Sequence, residues 1–291
     1  MINILITSTT GFIGKNLLEY FNGLPSINVF ALNRSILDLR LSNDLVAYVK
    51  QYKIDFIINT AVSLNDFSNN MLITYSLFNA SKYCSAVLML GSGIEYHPKR
   101  YIPKMKEDYF DMSAFPADDN AYHNSKFLSS ILLDTLMYKN VFNFRLFGVF
   151  GKYEDYSRRL ISNNIFQYLT KGTLSYNKDI SFDYLDVRDL ARSLHCFITK
   201  FSVPRHHTYN ICTGIPSKFS SIMNEIAKFY GADQSIIMRH DPTASDYEYS
   251  GNPSRFEDEF NIKILDTSFQ QSIESIHNWM IANDEIKSLI P

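Results

Sequence analysis

The feature that most constrains the fold is a regular alternation, through the first half of the chain, of short apolar runs and longer amphipathic segments. The runs at residues 4–6 and 56–58 are apolar at every position, which is typical of strands buried on both faces. Such strands, separated by helices, indicate a parallel sheet covered on both sides. Strands are predicted at residues 3–7, 28–32, 55–59, 86–90 and 142–147, and helices at 14–21, 45–51, 70–83 and 122–138. The predicted fold class is α/β, with a Rossmann-like doubly wound parallel sheet.

The alternation is lost after about residue 151. Helical patterns cover residues 152–173, 187–200 and 268–282, extended segments cover 181–186 and 209–212, and residues 241–253 are polar and rich in turn formers. We expect residues 1–151, with roughly 181–212, to form the Rossmann domain. Residues 152–180 and 213–291 then form a smaller α/β domain, which packs closely against the first and encloses a cleft with it.

Composition and charge exclude several classes of protein. The 28 basic and 30 acidic residues give a net charge of −2, without the concentrated basic face that a nucleic-acid partner requires. Cys84, Cys196 and Cys212 lie far apart, as reduced thiols of a cytoplasmic protein do, and no pair of His or Cys residues has the spacing of a zinc finger. The segment after Met1 has no basic region, unlike a signal peptide, and no apolar run approaches the ~20 residues that span a bilayer. We expect a cytoplasmic protein with no metal, no nucleic-acid partner and no membrane partner.

The first motif is a tight strand–turn–helix corner at residues 7–14, with glycines at Gly11 and Gly14. The N-terminus of a helix has free N–H groups and the positive end of the helix dipole, so it can bind a pyrophosphate. Glycine lets the backbone approach such a ligand closely. An ordinary corner without a ligand would show a similar pattern.

The second motif combines Tyr122 and Lys126, which share one face of a predicted helix because they are four residues apart. A nearby ammonium group stabilises a phenolate, so this pair could donate and accept a proton beside a carbonyl or an alcohol. Ser92 lies in the loop after the strand at 86–90, at the edge of a parallel sheet where ligands bind. A surface pair and a turn serine are the ordinary alternatives.

In this order the motifs resemble the extended short-chain dehydrogenase/reductases, specifically their nucleotide-sugar epimerase, dehydratase and reductase group. The glycine loop at 7–14, Ser92 four residues before Tyr96, and the Tyr122–Lys126 spacing all match, and the resemblance covers nearly the whole chain. Residues 70–92 are most similar to GDP-fucose synthase and the dTDP-4-keto-6-deoxy-sugar reductases. Members of this family commonly form homodimers through helices that correspond here to 70–83 and 122–138. The spacing of Leu128, Leu132 and Leu136 is typical of such an apolar face, or equally of a core-facing one.

The resemblance implies three catalytic residues: Tyr122 as general acid/base, Lys126 to lower the pKa of Tyr122 and hold the nicotinamide ribose, and Ser92 to hold the sugar hydroxyl or keto group. It implies that the cofactor is bound by Thr7, Thr10, Gly11, Phe12, Ile13, Gly14, Asn33, Arg34, Ser35, Asp38, Leu39, Ala61, Val62, Tyr122 and Lys126. It implies that the nucleotide-diphospho-sugar substrate is bound by Ser92, Gly93, Ile94, Tyr122, Arg159 and Asn163.

Some positions depart from the family pattern. Ser8 stands where the first loop glycine usually lies. No acidic residue follows the second predicted strand, and Arg34 lies there instead, which favours NADP over NAD unless Arg34 is simply a solvated charge. Asp38 resembles the aspartate that follows the third strand of the family and lies near the adenine amine, although a capping aspartate in a turn would look the same.

The leading hypothesis is NAD(P)-dependent reduction of a nucleotide-diphospho-4-keto-6-deoxy sugar in deoxysugar or surface-glycan biosynthesis. GDP-fucose synthase also epimerises its substrate with a cysteine, and Ile94 at that position favours a simple reduction. The first alternative is a nucleotide-sugar 4-epimerase that retains NAD, and the second is a non-catalytic NADP-binding regulator. His97 and His123 are further candidate acids, but we expect His123 to lie on the helix surface.

Overall fold

The computed structural model of the chain describes residues 1–115, 119–136, 138–202, 204–243 and 247–290. The strands are β1 (Ile2–Ile6), β2 (Ile27–Ala31), β3 (Phe56–Asn59), β4 (Ala86–Ser92), β5 (Val141–Leu146), β6 (Gly148–Phe150), β7 (Leu174–Tyr176), β8 (Ser181–Phe182), β9 (Tyr184–Asp186), β10 (Thr208–Ile211), β11 (Ser217–Lys218), β12 (Ile237–Arg239) and β13 (Glu248–Tyr249). The helices are α1 (Phe12–Asn22), α2 (Ser42–Gln51), α3 (Phe67–Ser81), α4 (Ala121–Leu136), α5 (Leu160–Lys171), α6 (Val187–Thr199), α7 (Phe219–Phe229), α8 (Ser254–Phe260), α9 (Phe269–Ala282) and α10 (Asp284–Lys287).

Six strands form the central sheet, in the order β2–β1–β3–β4–β5–β10, and every neighbouring pair is parallel. Most residues of these strands are apolar because helices cover both faces of the sheet. One face packs against α1, α6 and α8 in a single hydrophobic core, and the other against α2, α3 and α4 in a second core. The predicted α/β Rossmann-like class is confirmed.

The sheet reverses its order between β1 and β3, and this switch point is where an open α/β sheet opens a crevice for ligands. The ends of the two strands are tied together by Thr7, whose Oγ1 donates to Asn59 Oδ1 at 2.8 Å. The same oxygen accepts a hydrogen bond from the backbone N–H of Thr60 at 3.0 Å. The ends of the two strands at the base of the crevice are therefore held together by hydrogen bonds.

The smaller C-terminal part has its own hydrophobic core, formed mainly by α5, α7, α9 and β7. Two small sheets connect it to the carboxyl edge of the central sheet: β11–β8–β13 and β6–β9. In the first of these, Tyr249 pairs with Phe182. C-terminal side chains thus reach the edge at which β4 ends. The domain boundaries given above stay a prediction.

Several details of the sequence interpretation were wrong. The helix predicted at 152–173 is shorter, because residues 152–159 form turns and α5 begins only at Leu160. No strand lies between β2 and α2, and Asp38 lies in the turns formed by residues 32–41. His123, expected on the surface of its helix, is completely buried, and its ring lies 5.7 Å from that of His97.

The apolar spacing on α4 has a mixed outcome. Leu132 packs against a core, Leu128 is half-buried and Leu136 is exposed. The homodimer stays a prediction. In the described part of the chain, none of the helices is long and apolar enough to cross a membrane.

Candidate active site

A cleft of about 690 Å³ lies between the carboxyl edge of the sheet and the C-terminal part. Residues from opposite ends of the chain meet in it. Its walls include nine of the predicted site residues: Phe12, Ile13, Ala61, Val62, Ser92, Ile94, Tyr122, Lys126 and Arg159. The structure therefore brings the three predicted catalytic residues together in one cleft.

A second pocket, of about 200 Å³, lies beside the end of β2. It shares Ala61 and Val62 with the cleft, so the two spaces adjoin at the end of β3. Its walls include the predicted cofactor residues Thr10, Asn33, Arg34, Asp38 and Leu39, together with Ser8. An elongated ligand could extend from one space into the other across the switch point.

The glycine loop forms the turn from β1 into α1. A Cβ atom on Gly14 would lie 2.3 Å from the carbonyl oxygen of Ser8, so only glycine fits at this position. The backbone N–H of Gly11 donates to the same oxygen at 3.0 Å. Ser8 itself has a φ of 50°, in the left-handed region that favours glycine. The residue at which the sequence departs from the family pattern is thus conformationally strained.

Three residues of the loop after β2 form a compact turn. Asn33 Oδ1 accepts hydrogen bonds from the Ser35 backbone N–H at 3.0 Å and from the Ser35 hydroxyl at 2.6 Å. Arg34, between them, is exposed, and no hydrogen bond or ion pair joins its side chain to the described residues. Asp38 binds Arg40, and these hydrogen bonds lower the pKa of its carboxyl to about 2. The Asp38 carboxylate, which was predicted to lie near the adenine, thus already accepts hydrogen bonds from Arg40.

Ser92 is the last residue of β4 and the N-cap of the short turn that follows. Its side chain accepts a hydrogen bond from the Ile94 backbone N–H at 3.3 Å, and its own N–H donates to Glu95 Oε1 at 2.8 Å. This reciprocal capping box fixes the serine at the end of the strand. Ser92 and Tyr122 line the same cleft, and the Ser92 side chain acts to lower the pKa of the Tyr122 hydroxyl.

Burial dominates the electrostatics of the other two catalytic candidates. It raises the pKa of Tyr122, an effect that the Ser92 side chain opposes. It also lowers the pKa of Lys126 to about 8, although the charge of Glu95 counteracts this. Lys126 Nζ donates to the Leu90 carbonyl oxygen at 2.5 Å and lies 5.7 Å from the centre of the Tyr122 ring. The lowering of the Tyr122 pKa by Lys126 stays a prediction.

A buried ion pair supports this loop from beneath. Arg145 Nε lies 2.7 Å from Glu95 Oε2, and both side chains are almost fully buried, with exposures of 2% and 1%. The same carboxylate oxygen accepts from Ser130 Oγ at 2.5 Å and from Asn143 Nδ2 at 2.9 Å. A buried charge is tolerated only when it is paired and hydrogen-bonded in this way.

The cleft is also lined by aromatic rings and charged side chains. The aromatic residues are Tyr101, Phe147, Phe150, Phe182, Tyr184, Tyr247 and Tyr249. Beside them lie Arg158, which pairs with Asp155 at 2.7 Å, and Arg159, the N-cap residue of α5. Burial raises the pKa of the Glu154 carboxyl to about 7, against a hydrogen bond from Ser162. An anionic ligand here would meet two guanidinium groups and one carboxyl group.

The remaining predicted residues do not line the cleft. Thr7 is buried in the tie between β1 and β3, and Gly93 lies behind Ser92, against Phe147 and Tyr249. The Asn163 amide donates to the Tyr156 carbonyl at 2.9 Å, so it caps a turn and does not face the cleft. The substrate contact by Asn163 stays a prediction.

Sequence reasoning missed Glu95 and Tyr249. The Ser92-x-x-Glu95 spacing is a capping-box signature and could have identified the first. Tyr249 lies in a strand of two residues, which is too short to give a periodic signal. Its place beside Ser92 depends on contacts distant in the chain.

Comparisons with known proteins agree with this geometry. The sequence profile of the family described as NAD dependent epimerase/dehydratase matches residues 4–212. The chain belongs to the NAD-dependent epimerase/dehydratase family. The resemblance inferred from the glycine loop, Ser92, Tyr122 and Lys126 is confirmed at the level of the family. No curated protein sequence matches this family member.

Solved structures of other proteins share its fold over nearly their whole length. A dTDP-glucose 4,6-dehydratase from Bacillus anthracis, solved with NAD, is 20% identical with a TM-score of 0.82, and the match covers 99% of this chain and 100% of that one. A UDP-glucose 4-epimerase from Thermotoga maritima, solved with UDP-glucose, is 13% identical with a TM-score of 0.77, covering 96% and 98%. RMD from Pseudomonas aeruginosa, complexed with NADPH, is 19% identical with a TM-score of 0.74, again covering 96% and 98%. At identities this low, the similarity to these solved structures establishes only the fold of the chain.

Proposed function

We propose that this protein catalyses the NAD(P)-dependent reduction of a nucleotide-diphospho-4-keto-6-deoxy sugar, with Tyr122 as the proton donor and NADPH as the favoured cofactor. The observation that carries the proposal is the convergence of Ser92, Tyr122 and Lys126 in one cleft. The reaction would serve deoxysugar or surface-glycan biosynthesis.

The chain fits a dinucleotide at the switch point of the sheet. Phe12 and Ile13, the first two residues of α1, line the cleft, so a pyrophosphate could bind at the N-terminus of this helix. The pocket beside β2 would hold the adenosine half, and the cleft would hold the nicotinamide half next to Lys126. The exposed Arg34 in that pocket supports a 2′-phosphate, because a guanidinium binds phosphate and no acidic side chain occupies its place.

The proposed reaction depends on two proton-holding groups in the cleft. A bound nicotinamide cofactor would supply the hydride for the sugar carbon. The Tyr122 hydroxyl then gives its proton to the keto oxygen, and Ser92 holds that oxygen in position. Lys126, a cation beside the developing phenolate, stabilises it through the electrostatic interaction. Arg159 is placed to bind the diphosphate of the sugar nucleotide.

Ile94 supports a reduction without epimerisation. Its side chain lines the cleft two residues after Ser92, and an alkyl group cannot transfer a proton at a neighbouring carbon. The product would therefore keep the configuration of the other ring carbons.

The test is to follow nicotinamide absorbance while the protein and NADPH are mixed with a panel of nucleotide-diphospho-4-keto-6-deoxy sugars, with NADH in parallel. We expect stoichiometric loss of NADPH with one of them. Tyr122→Phe should lower turnover by at least about a hundredfold, the usual contribution of a general acid, while the protein stays folded by circular dichroism.

Two other results would contradict the proposal. If no sugar oxidises NADPH and the purified protein carries bound NAD, the protein is better described as a 4-epimerase. If Tyr122→Phe leaves every activity unchanged, a non-catalytic regulator is favoured.

A further inference from the structure

A separate cavity of about 430 Å³ lies in the C-terminal part of the molecule. We call it the C-terminal cavity. It is bounded by the ends of β6 and β9, by α7 and α9, and by the segments that precede these two helices. Phe150 and Tyr184 line both this cavity and the active-site cleft. The volume is within the range of small-molecule sites, and the reduction proposed above places no ligand there.

Three aromatic residues of the cavity wall are packed against one another. The ring of Phe150 lies 5.9 Å from that of Tyr184, with the two planes at 85°. It lies 5.7 Å from the ring of Phe269, with the planes at 45°. Groups of inclined aromatic rings recognise organic ammonium ions, because the face of an aromatic ring is negative. This wall is therefore suited to a cation.

The charged residues of the cavity wall are all acidic. They are Asp186, Glu225 and Asp266, and the described residues of the wall include no Lys, Arg or His. Asp186 is paired with Arg188 at 2.8 Å, and Asp266 lies 3.6 Å from Arg192. Glu225 is exposed on α7, and no hydrogen bond or ion pair joins its side chain to the described residues. Its carboxylate is therefore available to a cation in the cavity.

Two large apolar side chains of the cavity wall are open to solvent. They are Ile215 and Leu265, which are exposed by 61% and 42%. Ile222, also in the wall, is 3% exposed. Exposed apolar residues around a concave site are typical of surfaces that a ligand covers. The occupant of this cavity would therefore have an apolar body as well as a charge.

We propose that the C-terminal cavity binds a small organic cation, an ammonium group attached to an apolar or aromatic body. The ammonium group lies against the aromatic rings and near the Glu225 carboxylate, and the apolar body covers Ile215 and Leu265. The acidic wall disfavours an anionic ligand. This distinguishes the cavity from the cleft, whose wall includes Arg158 and Arg159.

The first test compares three probes of similar size, each with a phenyl ring and two further carbons: phenethylamine, phenethyl alcohol and phenylacetate. At pH 7 they are a cation, a neutral molecule and an anion. Binding to the full chain is measured by ligand-observed NMR titration. We expect the amine to bind at least about fivefold more tightly than the alcohol, from one cation–π contact or ion pair. Phenylacetate should bind this cavity more weakly than the alcohol.

Two blocking variants identify which binding belongs to the cavity. Ser221 and Ile215 are exposed residues of its wall, so Ser221→Phe and Ile215→Trp would place a large ring there without disturbing a core. Both variants should keep the wild-type circular dichroism spectrum and abolish binding of the amine. Binding that neither variant lowers occurs elsewhere on the protein and would overturn the proposal.

The second test removes the charge and keeps the shape. Glu225→Gln should weaken binding of phenethylamine about fivefold and leave that of phenethyl alcohol unchanged. Glu274→Gln is the matched control, because Glu274 is an exposed glutamate of α9 that is not among the residues of the cavity wall. It should change the affinity for neither probe.

Three results would overturn the proposal: no binding of phenethylamine, equal affinities for the amine and the alcohol, or an affinity for the amine that Glu225→Gln does not change. The titrations contain no sugar and no nicotinamide cofactor. Their outcome is therefore independent of whether the protein reduces a nucleotide-diphospho sugar.

Discussion

Removal of Arg145 should destabilise the protein far more than the loss of one surface ion pair. Arg145→Leu leaves the Glu95 carboxylate 1% exposed and without its cation. Breaking a buried pair by removing one partner costs about 3–5 kcal/mol, because the remaining charge is not solvated. Arg145 Nη1 also donates to the Tyr96 hydroxyl at 3.1 Å, so this hydroxyl loses one hydrogen bond and keeps the one that it donates to Asn210 Oδ1 at 2.7 Å. We expect the free energy of unfolding to fall by about 4 kcal/mol.

The chain offers a matched control. Arg158 and Asp155 are also 2.7 Å apart, but their side chains are 73% and 40% exposed. Such a pair contributes about 0–1 kcal/mol, so Arg158→Leu should change the free energy of unfolding by less than about 1 kcal/mol. The two variants share the same substitution and the same distance between charges, and differ in burial.

The assay is urea unfolding followed by circular dichroism at pH 7, with the slope against urea checked for constancy. The single variant Glu95→Gln and the double variant Glu95→Gln with Arg145→Leu complete a cycle, and the double variant should be more stable than the sum of the two single losses predicts. Equal losses for Arg145→Leu and Arg158→Leu would refute the reasoning, since burial would then not decide the outcome.

Two further predictions concern single residues. Ser8→Gly should raise the free energy of unfolding by up to about 1 kcal/mol, because glycine relieves the strain of the positive φ at Ser8. Ser26 is an exposed residue without a positive φ, so the control variant Ser26→Gly should lower the free energy of unfolding. Urea unfolding of both variants measures whether the two changes have opposite signs. Folding lowers the pKa of Lys126 from 10.5 to about 8. Below pH 8 the lysine is charged in both the folded and the unfolded state, so its burial destabilises the protein in full. This destabilisation is lost as the pH rises from 8 to 10.5. Lys126→Met should therefore be more stable than the wild type at pH 7, with the difference disappearing near pH 10.5; a difference that does not change with pH would contradict this.

Much of the fold could be predicted from the sequence because its strands are buried on both faces. The strand expected at 142–147 is β5 at Val141–Leu146, shifted by one residue. Elements of two or three residues, such as β6 and β13, could not be predicted, since no periodicity develops over that length. The turn from β1 into α1 was predicted correctly, and the steric requirement for glycine at Gly14 is what marks it in the sequence.

Asp38 and Asn163 are predicted site residues that do not line the cleft, and the physical reason is the same for both. Asp38 and Asn163 carry side chains that hydrogen-bond neighbouring backbone, and such local bonds are as compatible with the sequence as a ligand contact. His123 is buried because helix α4 is covered on more than one side, by α3 and by the turn that follows β4. The spacing of residues along a helix predicts which face of the helix each residue occupies, but it does not predict which other element packs against that face.

Glu95 connects the stability of the protein with the chemistry of its cleft. The carboxylate holds the Ser92 backbone at 2.8 Å, and its charge opposes the lowering of the Lys126 pKa that burial causes. An apolar residue would pack at this position without the cost of burying a charge, but it could neither accept from Ser92 nor stabilise a nearby ammonium group. Arg145 then offsets the charge of Glu95 from the opposite side of the active-site loop. The ion pair therefore joins two parts of the chain that are 50 residues apart, and it holds a carboxylate that positions Ser92 and favours the charged form of Lys126.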